Sequence, residues 1–395
     1  MKQKRVLMIA QSFYEFDARI LRQTSVLVAN NYNVDIICLN NKNSPKTENI
    51  GGVNVYRIMK KFQQDKVGLY IINSLIFLFK ALLKSVTLYP KKRPDVVQIH
   101  NMPDYLVFSA VFYKVLGIPV ILDIHDLTVE LFKEKWGEKK FKMLKPILTL
   151  SERLSVKFAN KVITVSDQCG ERLIERGLPK EKLTIVMNVA DSDYFKYYQQ
   201  RKFKKIEEGL RLIYLGTIAE RYALHKSIHA LKEVTNKIPH TTFKIFGNIN
   251  TEYGNSLKKL VDELKLTENV IFCTSVPYKD VSSHLNSADM GIIMSQNAQY
   301  AQFGLPTKSF EYASVGLPFI IYDLKTFRTV FREESVCYVD HNDINQISQA
   351  IINLCFDPER RQKMSINAQL DVNKVSSDIM KQRYFNLIRY LIDRY

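Results

Sequence analysis

The chain contains few cysteines, and no two of them form a paired motif. Five occur among 395 residues, namely Cys38, Cys169, Cys273, Cys337 and Cys355. Their scarcity and spacing exclude a disulfide-rich scaffold and a paired-cysteine zinc site. Most of them lie within apolar runs, which predicts reduced core residues in a cytoplasmic protein.

Long apolar segments are also lacking. The longest uninterrupted run is Val67–Phe79, thirteen residues between two lysines, whereas a helix needs roughly 20 to cross a bilayer. The basic N-terminus is followed by the apolar run Val6–Ala10, which is too short for a signal peptide and predicts a buried strand. The sequence therefore predicts neither a membrane-spanning segment nor a leader.

Acidic residues are outnumbered by basic ones. The 57 Lys and Arg exceed the 40 Asp and Glu, which gives a net charge of +17. Such an excess indicates an anionic partner: an anionic lipid surface, a nucleic acid or a phosphorylated substrate. The composition is otherwise ordinary, with 46% hydrophobic and 25% charged residues, and the length favours two globular domains.

Short apolar runs alternate with helical patterns along the whole chain, which is typical of parallel sheets built from β-α-β units. We predict two doubly wound α/β domains, Rossmann-like, that face each other across a cleft. Their predicted bounds are 1–190 and 210–375, with a linker at 191–209 and a C-terminal helix at 376–395 that packs back on the first domain. Ligands of such sheets bind beyond the carboxyl ends of the strands, so functional residues are expected there.

Several familiar site motifs are absent, including G-x-G-x-x-G, the P-loop, G-x-S-x-G and H-E-x-x-H. What remains is a histidine between two carboxylates, Asp123-Ile124-His125-Asp126, at the end of a predicted strand. An imidazole suits hydrogen bonding to a phosphate or a sugar hydroxyl, although His125 could also be a structural residue satisfied by Asp126. His100-Asn101 ends the preceding strand in a similar way.

The most distinctive segment of the second half is FGLPTKSFEYASVGLP, residues 303–318. Gly304 and Pro306 predict a turn, after which a helix begins, and its first backbone N–H groups with Thr307 and Lys308 would form an anion site. Glu311 could accept two ribose hydroxyls, or it could form an i,i+3 salt bridge with Lys308. The spacing alone leaves both roles open.

These residues carry a resemblance to a known family. The stretch PTKSFEYASVGLPFI resembles the P-x-K-x-F-E-Y-x-x-x-G-x-P signature of retaining glycosyltransferases of family 4, which have the GT-B fold. The stretches FDARILRQTSVLVANNYNVDIICL, PDVVQIHN, VILDIHDL, ANKVITVSDQCGERL and LIYLGTIAERYALHKSIHAL are similar to that family in order and spacing. The resemblance covers nearly the whole chain.

The resemblance implies roles for the two domains and for several residues. The first domain would bind the acceptor and the second a nucleotide-sugar donor. Glu311 would hold the donor ribose, and His125 would line the reaction centre as the catalytic residue. The loop Gly216–Arg221 would approach the donor diphosphate. Further donor-binding positions are Thr307, Lys308 and Asn188.

The sequence departs from the family pattern at several positions. Phe303 stands where many members carry a second glutamate that contacts the donor sugar. Thr217 and Tyr222-Ala223 replace a usual arginine and a basic residue followed by glycine, which leaves Arg221, Lys226 and Lys308 as phosphate partners. The usual glycine-rich first loop is replaced by SFYEFDAR. This places Ser12, Asp17 and Arg19 as candidates near the acceptor, and His100, at the end of its own strand, is a further acceptor-binding candidate.

The sequence therefore predicts retaining transfer of a sugar from a nucleotide donor, with UDP favoured over GDP, to a glycan or lipid-linked acceptor in bacterial surface polysaccharide synthesis. No metal or other cofactor is expected, because the single Asp-x-Asp, Asp191–Asp193, opens the linker and is interpreted as a turn. The alternatives are a non-hydrolysing nucleotide-sugar epimerase and a basic nucleic-acid-binding protein. No obligate protein partner is inferred.

Two stretches combine apolar residues with lysines: residues 60–93 and KEKWGEKKFKMLK at Lys133–Lys145. Apolar side chains with a basic rim are typical of a helix at an anionic membrane surface. We therefore predict a cytoplasmic protein that is peripheral on the inner face of the cell membrane. Alternatively, Val67–Phe79 simply covers the first-domain sheet.

Overall fold

The computed structural model describes residues 3–41, 44–60, 66–203, 209–296 and 301–395. They fall into two compact units: Met1–Met187 with Met380–Tyr395, and Asn188–Ile379. Each unit is built on a largely parallel sheet with helices between the strands. The prediction of two Rossmann-like α/β domains is thereby confirmed.

The sheet of the first unit has eight strands in the order β3-β4-β2-β1-β5-β6-β7-β8. Only the edge strand β3 runs antiparallel, against β4. Strands β5 and β6 are buried along their entire length, which is why they appear in the sequence as continuous apolar runs. The strands are β1 Arg5–Ala10, β2 Asn33–Asn40, β3 Thr47–Ile50, β4 Val53–Lys60, β5 Val96–His100, β6 Val120–Ile124, β7 Lys161–Thr164 and β8 Leu183–Ile185.

The sheet of the second unit has six parallel strands in the order β11-β10-β9-β12-β13-β14. Renumbered from its first strand, this is the 3-2-1-4-5-6 order of dinucleotide-binding folds, in which ligands bind where the order reverses. That point lies beyond the carboxyl ends of β9 and β12. The strands are β9 Arg211–Leu215, β10 Thr242–Phe246, β11 Val270–Cys273, β12 Met290–Ile293, β13 Phe319–Tyr322 and β14 Cys337–Val339.

All described helices but the last three occupy connections between these strands, and the last three follow the final strand. Asp17 caps the first helix of the chain, since its side chain accepts a hydrogen bond from the backbone N–H of Ile20. The helices are α1 Ala18–Ala29, α2 Val67–Leu88, α3 Val111–Val115, α4 Thr128–Trp136, α5 Glu138–Phe158, α6 Asp167–Glu175, α7 Leu224–Lys237, α8 Glu252–Glu263, α9 Val281–Asn286, α10 Thr307–Ser314, α11 Lys325–Arg328, α12 Ile344–Phe356, α13 Pro358–Asn373 and α14 Ser377–Arg394.

The stretch predicted as a linker is described as far as residue 203, and residues 204–208 lie outside the described residues. The described part packs on the second unit, because Phe195 is buried and Tyr197 Oη lies 3.1 Å from Ser365 Oγ. The unit boundary accordingly falls after Met187. Helix α14 begins in the second unit, and from Met380 onward its residues belong to the first.

Helix α2 corrects one expectation from the sequence. It has 22 residues and includes an 18-residue window of mean hydropathy 1.7, one third of it buried. By length and composition alone it could cross a membrane, so the prediction that no segment is long enough was wrong. The thirteen-residue run underestimates the length of the helix, because Lys80 and Lys84 interrupt the apolar run without ending the helix. A single helix of this kind is weak evidence for spanning, since core helices of soluble proteins pass the same test.

Candidate functional site

The first unit brings two histidines together at the carboxyl ends of β5 and β6. His100 Nδ1 lies 3.0 Å from His125 Nε2, and both nitrogens lie within 4 Å of Asp123 Oδ2, at 3.6 and 3.8 Å. Asp123 and His100 are buried, whereas the His125 side chain remains 18% exposed. His125 is therefore the member of this group that a ligand can reach.

The carboxylate of Asp123 is held by three donor residues from two other elements, α1 and β5. Arg19 donates to both of its oxygens, at 3.2 and 2.7 Å, and Gln23 and Gln98 donate to Oδ2 at 2.7 and 3.1 Å. Burial is the largest single effect and would raise the pKa of Asp123, but the charge and hydrogen bond of Arg19 together with the two neighbouring histidines outweigh it and hold that pKa well below the ordinary range. Asp123 is therefore a permanent anion beneath the histidine pair.

Burial lowers the pKa of both His100 and His125, although Asp123 opposes the shift. Both rings are therefore neutral, and each carries one N–H. Among the described residues, His100 Nε2 is buried without a hydrogen-bond partner. A proton there would be a buried, unsatisfied donor, which proteins avoid. We infer that His100 carries its proton on Nδ1 and donates to His125 Nε2, which leaves His125 with an N–H at Nδ1.

That N–H is the chemical group which the site offers to a ligand. No residue in the described segments hydrogen-bonds to His125 Nδ1. A neutral imidazole N–H can donate to a sugar hydroxyl or to a phosphate oxygen. The tautomer thus follows from the environment of His100 and not from His125 itself.

Asn101 fixes the loop that carries His125. The sequence indicates it only as the neighbour of His100. Its Oδ1 accepts from the backbone N–H of His125 at 2.8 Å. Its amide donates to the Asp126 carbonyl at 2.8 Å and to Asp104 Oδ1 at 2.9 Å. The only signal in the sequence was its position directly after a strand.

The other acceptor candidates of the first unit have different surroundings. Arg19 is buried, and besides Asp123 it donates to the Val186 carbonyl at 3.1 Å. Arg19 therefore acts on the site through Asp123, since the strong buried ion pair fixes its position. Asp17 caps α1. Ser12 Oγ is a buried atom without a hydrogen-bond partner among the described residues.

His100, Asp123 and His125 also satisfy the spacing of a metal site, since one ligand atom from each lies within 4.8 Å of the others. However, the carboxylate already pairs with the full charge of Arg19 and accepts from two further donors, Gln23 and Gln98. A cation would have to displace or oppose that guanidinium. The arrangement favours a hydrogen-bonded imidazole pair over a bound metal ion.

In the second unit, a buried lysine lies beside the end of β9. Lys308, on the first turn of α10, donates from Nζ to Tyr214 Oη at 2.8 Å. The same ammonium lies 4.0 and 4.2 Å from the ring centroids of Tyr214 and Tyr222. Two aromatic faces therefore surround the cation, which is a favourable but uncharged environment.

Gly216 leaves room for this lysine. Its φ is +148°, and a Cβ at this position would lie 3.2 Å from Lys308 Nζ. A side chain would therefore be strained and would press on the ammonium. The glycine that ends β9 allows the backbone to approach the buried cation closely.

Burial lowers the pKa of Lys308 to about 7, although Glu311 raises it. Glu311 lies one turn further along α10 and is 7% exposed. The second unit thus combines a cation that is half charged near neutral pH with a largely buried carboxylate. Such a pair suits a ligand that carries both a diphosphate and hydroxyl groups.

The remaining donor candidates differ in exposure and surroundings. Arg221 is exposed and stacks on Tyr222, with its guanidinium carbon 5.1 Å from the ring centroid. Thr307 is exposed at the first residue of α10, and Asn188 is half-buried in the loop after β8. Phe303 is half-buried before α10.

Lys226 has local partners of its own. Its Nζ donates to the His341 carbonyl and to Asn342 Oδ1, both at 2.9 Å. Of the three basic residues predicted to contact phosphate, Lys308 therefore has the most buried charge, while Lys226 bridges two segments of the fold.

Comparison with known proteins supports the interpretation of both units. Residues 17–188 match the model of a glycosyl transferase 4-like domain, and residues 197–371 match glycosyl transferases group 1. Among curated proteins, the capsular polysaccharide biosynthesis glycosyltransferase CapM of Staphylococcus aureus is 22% identical over 76% of this chain and 78% of its own.

Solved structures share the architecture at low sequence identity. Sucrose-phosphate synthase from Thermosynechococcus elongatus superposes with a TM-score of 0.74 at 16% identity, covering 100% of both chains. Anabaena Alr3699/HepE in complex with UDP and glucose gives a TM-score of 0.72 at 13% identity, covering 98% of this chain and 100% of its own. Both halves of the chain match glycosyltransferase domains and the whole chain shares this fold, so the protein is a glycosyltransferase of the GT-B fold.

Proposed function

We propose that the protein transfers a sugar from a UDP-sugar to a glycan or lipid-linked acceptor in bacterial surface polysaccharide synthesis, with retention of the anomeric configuration. The departing diphosphate would itself take the proton of the acceptor hydroxyl as the new glycosidic bond forms. No side chain then serves as nucleophile, and neither a metal nor another cofactor is required. The protein contributes charge stabilisation and orientation.

The observation that carries the proposal is the buried Lys308 beside Gly216. A buried ammonium between two aromatic rings, which the Glu311 carboxylate one turn away compensates only in part, gains from an incoming anion. A diphosphate at the end of β9 would supply that anion, and Arg221, which lies over the same Tyr222 ring as Lys308, would join it. Glu311 would then accept the ribose hydroxyls of the same nucleotide.

The choice of donor and acceptor has support from the relatives. The HepE structure contains UDP and glucose, and CapM is named for capsular polysaccharide biosynthesis. In the first unit, the Nδ1–H of His125 would donate to the donor sugar or to the acceptor.

A thermal-shift comparison tests this proposal against the two alternatives. UDP should raise the melting temperature strongly, GDP less, and a short oligonucleotide not at all, because only a ligand of the native state stabilises it. Stabilisation by the oligonucleotide alone would favour a nucleic-acid-binding protein. Epimerised donor without transfer would favour the epimerase.

Binding of UDP should take up a proton above neutral pH. The free protein loses the Lys308 proton as the pH rises through about 7, whereas a bound diphosphate would raise this pKa and retain the proton. Affinity should therefore fall as the pH rises above 7, by up to about tenfold per unit. Calorimetry near pH 8 in two buffers of different ionisation enthalpy should give an uptake of about 0.9 proton.

The Lys308→Met variant should lose both this uptake and the pH dependence of affinity. Lys259→Met is the matched control, because Lys259 is exposed on α8 and pairs only with Glu263. Equal proton uptake by the wild type and Lys308→Met would show that Lys308 does not contact the diphosphate.

We further propose that the protein is cytoplasmic and peripheral on the inner membrane face. Helices α2 and α5 each carry a stripe of exposed apolar side chains at helical spacing. These are Leu69, Ile72, Ile76, Phe79 and Leu83 on α2 and Met143, Ile147, Leu150 and Leu154 on α5. The opposite face of α2 packs on the fold, since Phe77, Ala81 and Ser85 are buried and Tyr113 donates to the Ser85 carbonyl. This favours a helix lying on a membrane over one that crosses it.

Lysines accompany both stripes. Lys80 is exposed on α2, and Lys139, Lys140, Lys142 and Lys145 lie on the first two turns of α5, whereas Lys61 falls within residues 61–65, outside the described residues. Each lysine near an anionic surface contributes about 1 kcal/mol. Apolar insertion and charge attraction would therefore act together.

The protein should float with anionic vesicles at low salt, and added salt should release it because the charge attraction is screened. In the double variant Leu150→Glu/Leu154→Glu the bound fraction should drop at least tenfold, since two apolar anchors become charges of the same sign as the lipid. Liposome flotation measures the bound fraction directly.

The matched control is Ile366→Glu/Leu370→Glu. This pair has the same spacing on α13 and similar exposure, 43% and 48%. Helix α13 is not one of the two helices that we propose to contact the membrane. Its flotation should equal that of the wild type. Wild-type protein that stays with the soluble fraction at low salt would reject the membrane proposal and leave a soluble acceptor.

A further inference from the structure

An apolar cavity of about 170 Å³ lies within the first unit, between α2, α4 and α5. Its walls include Tyr70 and Ile71 of α2, Leu131 and Phe132 of α4, and Leu144 and Leu148 of α5. An apolar cavity of about 150 Å³ stays dry and can bind benzene. This cavity therefore has room for a short hydrocarbon segment, but not for a folded pair of acyl chains.

The cavity opens toward the apolar face described above. Ile147 lines it and is also 64% exposed, and it belongs to the exposed stripe of α5. A hydrocarbon chain that leaves a membrane at this face could therefore enter the cavity without crossing water.

Two polar residues of the cavity wall adjoin the loop that carries His125. Asp104 and Thr128 line the cavity. Asp104 accepts a hydrogen bond from Asn101 at 2.9 Å, and Asn101 in turn holds the backbone N–H of His125 at 2.8 Å. The apolar space and the candidate reaction centre are thus connected through one asparagine.

Among the described residues that line this cavity, one is basic. Lys135 contributes to the wall, and its Nζ lies 5.4 Å from the Tyr70 ring and 5.0 Å from the Trp136 ring. It is otherwise exposed. Lys135 lies seven residues after Thr128 on α4, about 10 Å along the helix axis. An anion at Lys135 would leave space for a head group that reaches toward His125.

We propose that this cavity binds the hydrocarbon next to the phosphate of a single-chain lipid-phosphate acceptor, with Lys135 opposite the phosphate. The inference rests on the proposed transfer to a lipid-linked acceptor and identifies the binding site for its lipid. Apolar walls hold the chain, the cation selects a phosphate, and the linked sugar extends to the His125 loop. The apolar stripe of α5 brings the entrance of the cavity to the membrane.

The single tryptophan of the chain, Trp136, lines the cavity and reports its occupancy. Farnesyl phosphate, titrated below its micelle concentration, should change the Trp136 emission saturably. Inorganic phosphate should produce no change at the same concentrations, and farnesol should bind at least fivefold more weakly. An equal response to inorganic phosphate would indicate a simple anion site and overturn the proposal.

Two variants test the walls and the charge separately. Leu148→Phe should fill the cavity and weaken farnesyl phosphate binding at least fivefold, while Leu370→Phe, at an exposed position of α13 outside the wall, should bind as the wild type does. Lys135→Gln should weaken farnesyl phosphate binding about fivefold and leave farnesol binding unchanged, with Lys157→Gln, an exposed lysine of α5 outside the wall, as its matched control. Unchanged affinity in both Leu148→Phe and Lys135→Gln would overturn the proposal.

The UDP thermal shift, measured on the same samples, separates this inference from the proposed function and verifies that each variant is folded. A retained UDP response without saturable farnesyl phosphate binding would reject the lipid-binding site alone. Saturable farnesyl phosphate binding without any UDP response would reject the proposed donor and leave the lipid-binding site supported.

Discussion

Replacing His125 with alanine should lower the turnover number at least a hundredfold while leaving UDP affinity unchanged. The reason is that His125 offers one preorganised N–H donor, and removal of such a donor from an active site costs about 10²–10³ in rate. The residues proposed to hold the nucleotide, Lys308 and Glu311, belong to the second unit. Steady-state rates and calorimetry with UDP measure the two quantities separately.

Two conservative variants test which nitrogen matters. An asparagine amide resembles Nδ1 in position, whereas a glutamine amide resembles Nε2. Because the N–H is inferred to be at Nδ1, His125→Asn should retain more activity than His125→Gln. His240→Ala, an exposed histidine of the second unit, is the control for histidine loss. Near-normal turnover in His125→Ala would assign His125 a structural role only.

Replacing Glu311 with alanine should weaken UDP binding by at least tenfold. A hydrogen bond to a charged group contributes roughly 1.5–3 kcal/mol, and every 1.4 kcal/mol is a factor of ten in affinity. Glu311 is largely buried on α10, so bulk water cannot replace the lost contact easily. Calorimetry of UDP with the wild type and Glu311→Ala measures the loss.

The ribose contact itself can be isolated with 2′-deoxy-UDP. The wild type should prefer UDP over 2′-deoxy-UDP, and Glu311→Ala should lose most of this preference. Glu263→Ala, an exposed residue of α8, should behave as the wild type does. If Glu311→Ala kept both the affinity and the preference for UDP, the ribose assignment would be wrong.

Much of the fold could be predicted because each buried parallel strand appears in the sequence as a continuous apolar run. The apolar pattern predicts strands over Arg5–Ala10, Thr242–Phe246 and Val270–Cys273, and these are the observed bounds of β1, β10 and β11. It does not predict β3, a polar edge strand, or β14, which has only three residues. The pattern also predicts one helix over residues 106–116, where the structure has a 3₁₀ segment from Asp104 to Ala110 followed by α3.

The candidate site was predictable only where local sequence carries it. His125 and Glu311 follow strands and lie in recognisable motifs, so their positions could be inferred. The partners of Asp123 could not, because Arg19 lies 104 residues away in sequence and Gln23 lies 100 away.

The C-terminal helix provides a still more distant contact. Tyr384 Oη donates to Gln98 Oε1 at 2.8 Å across 286 residues, and Gln98 in turn contacts Asp123. No local pattern encodes such a network, which arises only when the sheet and α14 pack together. For the same reason the sequence could not indicate that Arg19, a predicted acceptor residue, pairs with Asp123 and donates to the Val186 carbonyl.

Transfer of labelled sugar tests the central claim most directly. The protein is incubated with anionic vesicles that contain a bacterial lipid extract and with one nucleotide sugar at a time, and label in the lipid-soluble product is counted against released nucleoside diphosphate. A UDP-sugar should give one equivalent of labelled lipid product for each equivalent of released UDP, with the anomeric configuration of the donor retained in the product. Released UDP without labelled product, an epimerised donor, or an inverted linkage would contradict the central claim.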